Sequence, residues 1–387
     1  MTKNRIKGVN LGCWLMMEGY ILGGRNIPES EFKLRFKKVY KENGLKEFER
    51  FFRNNFIREQ DFKNIASMGA NAIRLPFNSR LIETKPFAYF QEGFSYLEKA
   101  LAWAGKYKLG VILDLHAAPG SQNCDWHGDS NGKADLWEEA GYRERTYALW
   151  ERVVDRFKDS LSLIGYDVLN EPVVAKERVP TVRDFYKKAV KRIRAIDKKH
   201  LIFLEGNLWA TQIDFLSDLL DDAIVVSIHT YEPLSYTFNF TPFQKFPGRI
   251  NDDMWHKERM WNYLKSYADF AKKNKTRIFV GEFGINYRGS FWGELEWLEQ
   301  ILKCFEAFGF EYTYWTYKAI AGSVFPDGLY QYLPNNNYIR REGPVFGWEN
   351  YIPLWRQEKE AIADFWQTKN FTANQKIISK LKDYFTL

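Results

Sequence analysis

Apolar, β-branched runs recur along this chain with amphipathic stretches between them. Eight runs read as strands: Ile6–Leu11, Ala72–Leu75, Val111–Leu115, Gly165–Leu169, Leu201–Leu204, Ile224–Ile228, Ile278–Val280 and Tyr312–Trp315. Most are too continuously apolar for a strand with one wet face, and they suit a parallel sheet covered on both sides. Between them, apolar residues fall at helical spacing. Phe62, Ile65, Ala66 and Met68 mark a helix that ends at Gly69. Leu97, Leu101, Trp103 and Ala104 mark one that ends near Gly110. A glycine just past a helix end fits a left-handed cap. Further helices are predicted over Tyr142–Phe157, Val182–Ile196, Met254–Lys273, Leu295–Phe308 and, closing the chain, Gln357–Phe385.

Eight strand–helix alternations predict an α/β fold, a (β/α)8 TIM barrel forming one domain over residues 1–387. Long connections follow four strands: Gly19–Asn54, Ala117–Ala140, Leu234–Asn251 and Ala319–Tyr351. All leave the C-terminal ends of strands, the face on which barrels place their active sites. Loops of that length without regular structure are usually functional. These four hold Trp126, Trp137, Phe238, Phe243, Tyr330, Tyr338, Phe346 and Trp348. Trp126, Trp137, Tyr330 and Trp348 are the candidates for stacking on a sugar, whereas Trp14, Trp103, Trp150 and Trp297 lie within element patterns and read as core.

The polar positions at the ends of the apolar runs carry the chemistry. Val168-Leu169-Asn170-Glu171-Pro172 and Phe279-Val280-Gly281-Glu282-Phe283-Gly284 each end an apolar run in a glutamate. Buried carboxylates are costly without a partner or a task. Two at matching strand ends suggest an acid/base and nucleophile pair, the equipment for breaking a glycosidic bond. Arg74 ends the second run, His116 the third, His229 and Tyr231 the sixth, and Trp315 the eighth. Any one of these has an ordinary structural explanation, but in a barrel all converge on one pocket.

Composition narrows the alternatives. The net charge of +7 and pI near 9.0 are compatible with nucleic acid, but the basic residues are spread over predicted helices, as in Lys187-Lys188 and Lys191-Arg192, and form no basic stripe. Nucleic acid is therefore not expected as a partner. Cys13, Cys124 and Cys304 form neither a disulfide framework nor a zinc pattern. Only five histidines are present, with no closely spaced pair on a helix, which argues against a metal-dependent hydrolase. No metal or cofactor is expected. The chain from Met1 enters its first strand almost at once, with no signal peptide and no apolar span of membrane length. The expectation is a cytoplasmic protein without a membrane partner, acting on an oligosaccharide or glycoside.

The ordered set Arg74, His116, Asn170-Glu171, His229-x-Tyr231, Glu282 and Trp315 resembles the catalytic signature of glycoside hydrolase family 5, and the resemblance covers essentially the whole chain. It implies a retaining β-glycosidase with Glu171 as general acid/base and Glu282 as nucleophile. It further implies that Arg74 and Tyr231 orient Glu282, that His229 bonds near the acid/base, that Asn170 binds the sugar 2-hydroxyl, and that Trp315 floors subsite −1. The site of Glu171 should then favour the neutral acid.

A finer likeness runs to the exo-β-1,3-glucanases: Gly8-Val9-Asn10-Leu11-Gly12-Cys13-Trp14 followed by Glu18, and Asp114-Leu115-His116-Ala117-Ala118-Pro119-Gly120-Ser121-Gln122-Asn123. It implies that Glu18 grips hydroxyls of a terminal glucose in a short, blind pocket. Cys13 stands where that pattern has glycine, Gly19-Tyr20 replaces a proline–aromatic pair, and the run from Cys124 to Asp129 departs from the fungal loop. In that run Asp125 and His127 are candidate sugar contacts, with loop capping an equal account of either. An endo-acting β-1,4-glucanase, a mannan-type hydrolase or a transglycosidase would use the same pair of carboxylates. A non-catalytic carbohydrate-binding barrel would have lost one of them.

Overall fold

The computed structural model describes residues 5–332 and 347–387. Tyr338 and Phe346, expected in the last long connection, lie outside the described residues, as do residues 1–4. Eight parallel strands close into a barrel in sequence order: β1 (Lys7–Asn10), β2 (Ala72–Asn78), β3 (Gly110–Ala117), β4 (Leu163–Asp167), β5 (Leu201–Glu205), β6 (Ile224–His229), β7 (Arg277–Phe283) and β8 (Glu311–Tyr314). Closure is direct: Val9 of β1 pairs with Ile73 of β2 on one side and Tyr314 of β8 on the other. Helices surround it: α1 (Glu29–Asn55), α2 (Glu59–Ser67), α3 (Gln91–Lys106), α4 (Ala140–Phe157), α5 (Val179–Ile196), α6 (Lys257–Asn274), α7 (Glu294–Phe308), α8 (Trp348–Phe365) and α9 (Gln375–Phe385). None is long and apolar enough to cross a membrane among the described residues. The fold is the expected TIM barrel.

The barrel interior is layered with the strand period of two. Ile6, Ala72, Ile112, Phe203, Val225 and Phe279 form an apolar plug. Two residues further along their strands, Arg74, Asp114, Glu205 and Ser227 are fully buried and polar. Two further again, β3 presents His116 and β6 presents His229. The site therefore stands on an apolar layer and a polar layer, in that order.

Several boundaries differ from expectation for identifiable reasons. The connection Gly19–Asn54 is mostly the 27-residue helix α1, whose Phe32, Phe36, Phe48 and Phe52 are buried. Spacings of four place each pair of phenylalanines on one helix face. The helix is broken at Lys41, where φ is 60°. β2 runs past Arg74 to Asn78, so Arg74 lies inside the barrel and does not end its strand. α3 stops at Lys106, and Gly110 opens β3 instead of capping a helix. Gly69 does cap α2, with φ of 87°. Met254 and Trp255 pair as a short antiparallel strand with Gly248–Ile250 before α6 begins. The closing stretch is two helices, because the chain turns at 366–374 and Asn374 caps α9 by accepting from the Ile377 amide at 3.3 Å.

Two tryptophans expected in a sugar groove are core. Trp348 opens α8 fully buried, stacked on Phe32 at 4.9 Å, and its Nε1 donates to the Arg25 carbonyl at 2.9 Å. Trp137 is buried edge-on against Phe185, and its Nε1 donates to the Gln122 carbonyl at 2.8 Å. Both indoles need a partner for N–H as well as apolar cover, and carbonyls inside the fold supply it. Tyr330 packs on Tyr317 at 5.1 Å in a small three-stranded sheet separate from the barrel.

Candidate active site

A cavity of about 610 Å3 opens at the C-terminal end of the barrel. Glu171 and Glu282 both line it, with Glu18, His116, His229 and Tyr231. Trp315, Asp125, Trp126 and His127 line it as well, whereas Trp137 does not. One carboxylate oxygen of Glu171 and one of Glu282 lie within 4.8 Å of each other.

Glu282 is held at both oxygens. Arg74 Nη1 donates to Oε1 at 2.8 Å, and the Tyr231 hydroxyl donates to Oε2 at 2.8 Å. The register of β7 shifts between Val280 and Glu282, which pairs Glu282 with His229. Bulges of this kind re-aim side chains beside active sites. Gly281 permits it, since a Cβ there would sit 2.9 Å from His229 Nε2.

Glu171 has a left-handed backbone, φ 46°, unusual for a glutamate. Its main chain is fixed by two groups the sequence reading passed over or gave another role: its amide donates to Glu205 Oε2 at 2.6 Å, and its carbonyl accepts from Asn123 Nδ2 at 2.9 Å. Its carboxylate meets His229 Nδ1 at 2.7 Å and His127 Nε2 at 3.6 Å. Burial favours the neutral acid, but the His229 hydrogen bond and the charges of His229, His127 and His116 outweigh it and hold Glu171 well below the usual range. Burial likewise disfavours a charged His229, yet Glu205, Glu282 and Glu171 raise it well above its ordinary value. The expectation of a neutral Glu171 is therefore not met in the open site. The two side chains share one short hydrogen bond, and the surrounding charges favour its proton on His229.

Beneath these groups lies an ionic layer. The buried Arg74 guanidinium faces four carboxylates: Asp114 at 3.0 Å, Asp167 at 2.9 Å, Glu205 at 2.9 Å and Glu282 at 2.8 Å. It also donates to Asn10 and Asn170. One cation among four buried anions is unbalanced, and Asp167 responds: burial first, then repulsion from Glu205, lifts it well above the carboxylate range despite Arg74. Asp167 and Glu205 were missed from the sequence, and Asp114 entered as the first residue of the motif shared with exo-β-1,3-glucanases. Each lies on the inward face two residues beyond a plug position or in register with one, which is the signal that would have found them.

Several buried polar atoms in and around the site have no hydrogen-bond partner: Glu18 Oε1 and His229 Nε2 on residues that line the cavity, and Asn170 Nδ2, Asp114 Oδ1, Asp167 Oδ1 and Ser227 Oγ on residues that do not. An unmade buried hydrogen bond costs about 1–3 kcal/mol, so the site is built for a ligand with both a donor and an acceptor. Burial raises Glu18 to about 8, opposed by His116 and His127. Trp315 stacks on His116 at 5.6 Å and 7°, and its Nε1 donates to the hydroxyl of Tyr20, another lining residue not foreseen. Asp125 meets His127 at 3.5 Å and accepts from Trp209 Nε1 at 2.8 Å. Trp209 lies in a turn where Leu208, Trp209 and Ala210 have φ of 50°, 55° and 59°. Three consecutive left-handed non-glycine residues cost roughly 1–2 kcal/mol each.

A barrel that sets two close carboxylates at the ends of β4 and β7, over an arginine and between aromatic walls, has the form of a glycoside hydrolase. The family model described as cellulase (glycosyl hydrolase family 5) matches residues 36–320, and the chain belongs to that family of O-glycosyl hydrolases. A β-xylosidase of Phanerodontia chrysosporium is 30% identical over 301 residues, 75% of this chain and 60% of that protein. The chain thus matches less than two thirds of that relative's length. A glucan 1,3-β-glucosidase of Pichia angusta is 30% identical over 205 residues, 50% of this chain and 46% of that protein. A solved endoglucanase superposes with a TM-score of 0.57 at 25% identity, covering 71% of this chain and 84% of that one.

Proposed function

We propose that this protein is a retaining β-glycosidase that removes terminal β-glucosyl residues, β-1,3-linked glucan oligosaccharides or related glucosides, with Glu171 as acid/base and Glu282 as nucleophile. The observation that carries the mechanism is the carboxylate spacing. Oxygens within 4.8 Å of each other suit the close pair of retaining enzymes, about 5–5.5 Å between carboxyls, better than the about 6.5–9.5 Å of inverting ones.

In this reading Glu282 attacks the anomeric carbon while Arg74 and Tyr231 fix its orientation. Glu171 protonates the leaving oxygen with the proton held at His229 Nδ1. As Glu282 is consumed in the ester, one of the charges that held that proton on His229 is lost, and transfer to Glu171 becomes easier. Glu171 then serves as base toward water. Asn170 Nδ2 donates to the 2-hydroxyl and Glu18 accepts from hydroxyls at the far edge of the ring, which gives Asn170 Nδ2 and Glu18 Oε1 a partner each. Trp315 gives the sugar an apolar face. The names of the relatives support exo action (β-xylosidase, glucan 1,3-β-glucosidase) and endo action (endoglucanase) alike. Glu18 favours the exo reading, since its buried carboxyl closes the floor.

The test is a product time course on laminari- and cello-oligosaccharides, with Glu171→Gln as control. Glucose released singly, with β-anomeric configuration in the first minutes, is expected. α-Glucose would overturn retention, and mixed oligosaccharides would overturn exo action.

A further inference from the structure

The leaving-group side of the cavity differs in character from the floor. Its position follows from contacts: His127 touches Glu171, Asp125 touches His127, and Trp209 donates to Asp125. Trp209 and its neighbour Leu208 therefore stand beside the acid/base, where a departing group must lie. Across the cavity Phe238 and Phe240 each pack on Phe325 at 5.5 Å, and Phe238 packs on Tyr231, the partner of Glu282. Leu234 lines the same cavity.

These residues remain partly in water at the mouth. Trp209 is 46% exposed, Phe240 50% and Leu234 42%. The strained left-handed turn holds Leu208 and Trp209 there, and strain of this kind marks functional positions. Leu208 and Leu234 offer no ring face to a sugar.

Part of the polar capacity on this side is engaged within the protein. Thr211 Oγ1 donates to the Leu208 carbonyl at 2.7 Å, Asp125 serves Trp209 and His127, and Glu232 accepts from the Leu234 amide at 3.3 Å. Among the described residues, none of the buried atoms without a hydrogen-bond partner lies on Leu208, Trp209, Thr211, Leu234, Phe238 or Phe240. A hydrocarbon bound between Leu208 and Phe240 would remove apolar surface from water on both sides, whereas a sugar's hydroxyls there would depend on water for their partners.

We propose that the aglycone accepted here is apolar, an alkyl or aryl group β-linked to the sugar, in preference to a second sugar. The proposal rests on the glycosidase reading above and specifies its leaving-group side.

Alkyl β-D-glucosides from methyl to octyl, kept below micelle formation, test it. Their leaving alcohols have nearly one acidity, so differences in kcat/KM report aglycone binding. Full burial gives up to roughly fourfold per methylene, and a rise of at least thirtyfold from methyl to octyl is expected, with octyl glucoside exceeding laminaribiose. Phe240→Ser should lower kcat/KM for octyl glucoside at least fivefold more than for methyl glucoside. A flat series with laminaribiose preferred overturns the proposal and leaves the glycosidase reading standing. Binding of non-hydrolysable octyl and methyl β-D-thioglucosides, read by tryptophan fluorescence, separates the two failures. If no glucoside is hydrolysed but octyl binds at least tenfold tighter, the glucosidase reading falls and the apolar subsite stands. Equal binding overturns the subsite.

Discussion

Glu205 offers the sharpest test of how the proton is managed. Its carboxylate accepts from Arg74 Nη2 at 2.9 Å and the Glu171 amide at 2.6 Å, and lies 3.2 Å from His229 Nε2. After burial, which opposes it, Glu205 is the largest influence keeping His229 protonated. Glu205→Gln keeps the shape and removes the charge. A charged hydrogen bond contributes about 1.5–3 kcal/mol, and one pH unit corresponds to about 1.36 kcal/mol. The proton shared by His229 and Glu171 should therefore leave about 1–2 pH units earlier. The basic limb of kcat/KM for an alkyl glucoside, which needs that proton, should move to lower pH by the same interval. Activity on a dinitrophenyl glucoside, whose leaving group needs no acid, should keep its profile in this pH range. The assay is the pair of pH profiles, with a melting curve to establish folding. An unmoved basic limb, or an equal loss on both substrates at every pH, would show that Glu205 only supports the backbone and would refute the proton store on His229.

Tyr231→Phe removes one of two bonds to Glu282 and should lower kcat about 10- to 150-fold with little change in KM, measured on an alkyl glucoside. Glu18→Gln bears on stability as well as binding. Because the folded carboxyl is raised to about 8, its stabilising contribution is complete below about pH 4.5 and is lost as pH rises through 8. The variant should therefore melt higher than the parent at pH 9 and alike at pH 4 by calorimetry. Trp348→Ala should cost about 3–5 kcal/mol in denaturant unfolding while kcat/KM of the folded fraction holds within about twofold, since its indole is core and lies outside the cavity.

The barrel was legible because strands covered on both faces must be apolar throughout, and eight such runs leave few alternatives. Glu171 and Glu282 stood out as carboxylates ending such runs. Glu205 ends Leu201–Leu204 in the same way and is followed by Gly206, so its signal was equally present. No motif surrounds it, and only the inward period of two from Phe203 to Glu205 marks it as facing the barrel interior. Direction defeated the reading of Trp137 and Trp348. A loop tryptophan can stack on ligand or turn inward, and only carbonyls brought in by distant segments, at Gln122 and Arg25, decide which.

The turn at Leu208–Ala210 was not legible at all. Leucine, tryptophan and alanine carry no preference for left-handed backbone, and nothing local predicts three in succession. Its neighbours enforce it. Asn207 exchanges two hydrogen bonds with Val174, accepting from its amide at 2.9 Å and donating to its carbonyl at 3.0 Å, and pairs with Gln212 across the turn at 2.9 Å. Val174 follows Glu171 by three residues, so the segment that carries Glu171 also fixes the turn that carries Trp209. A change of conformation at Trp209 cannot then be independent of Glu171. Asn207→Ala, which releases that tie without touching the cavity, should disturb the aglycone wall and the acid/base together.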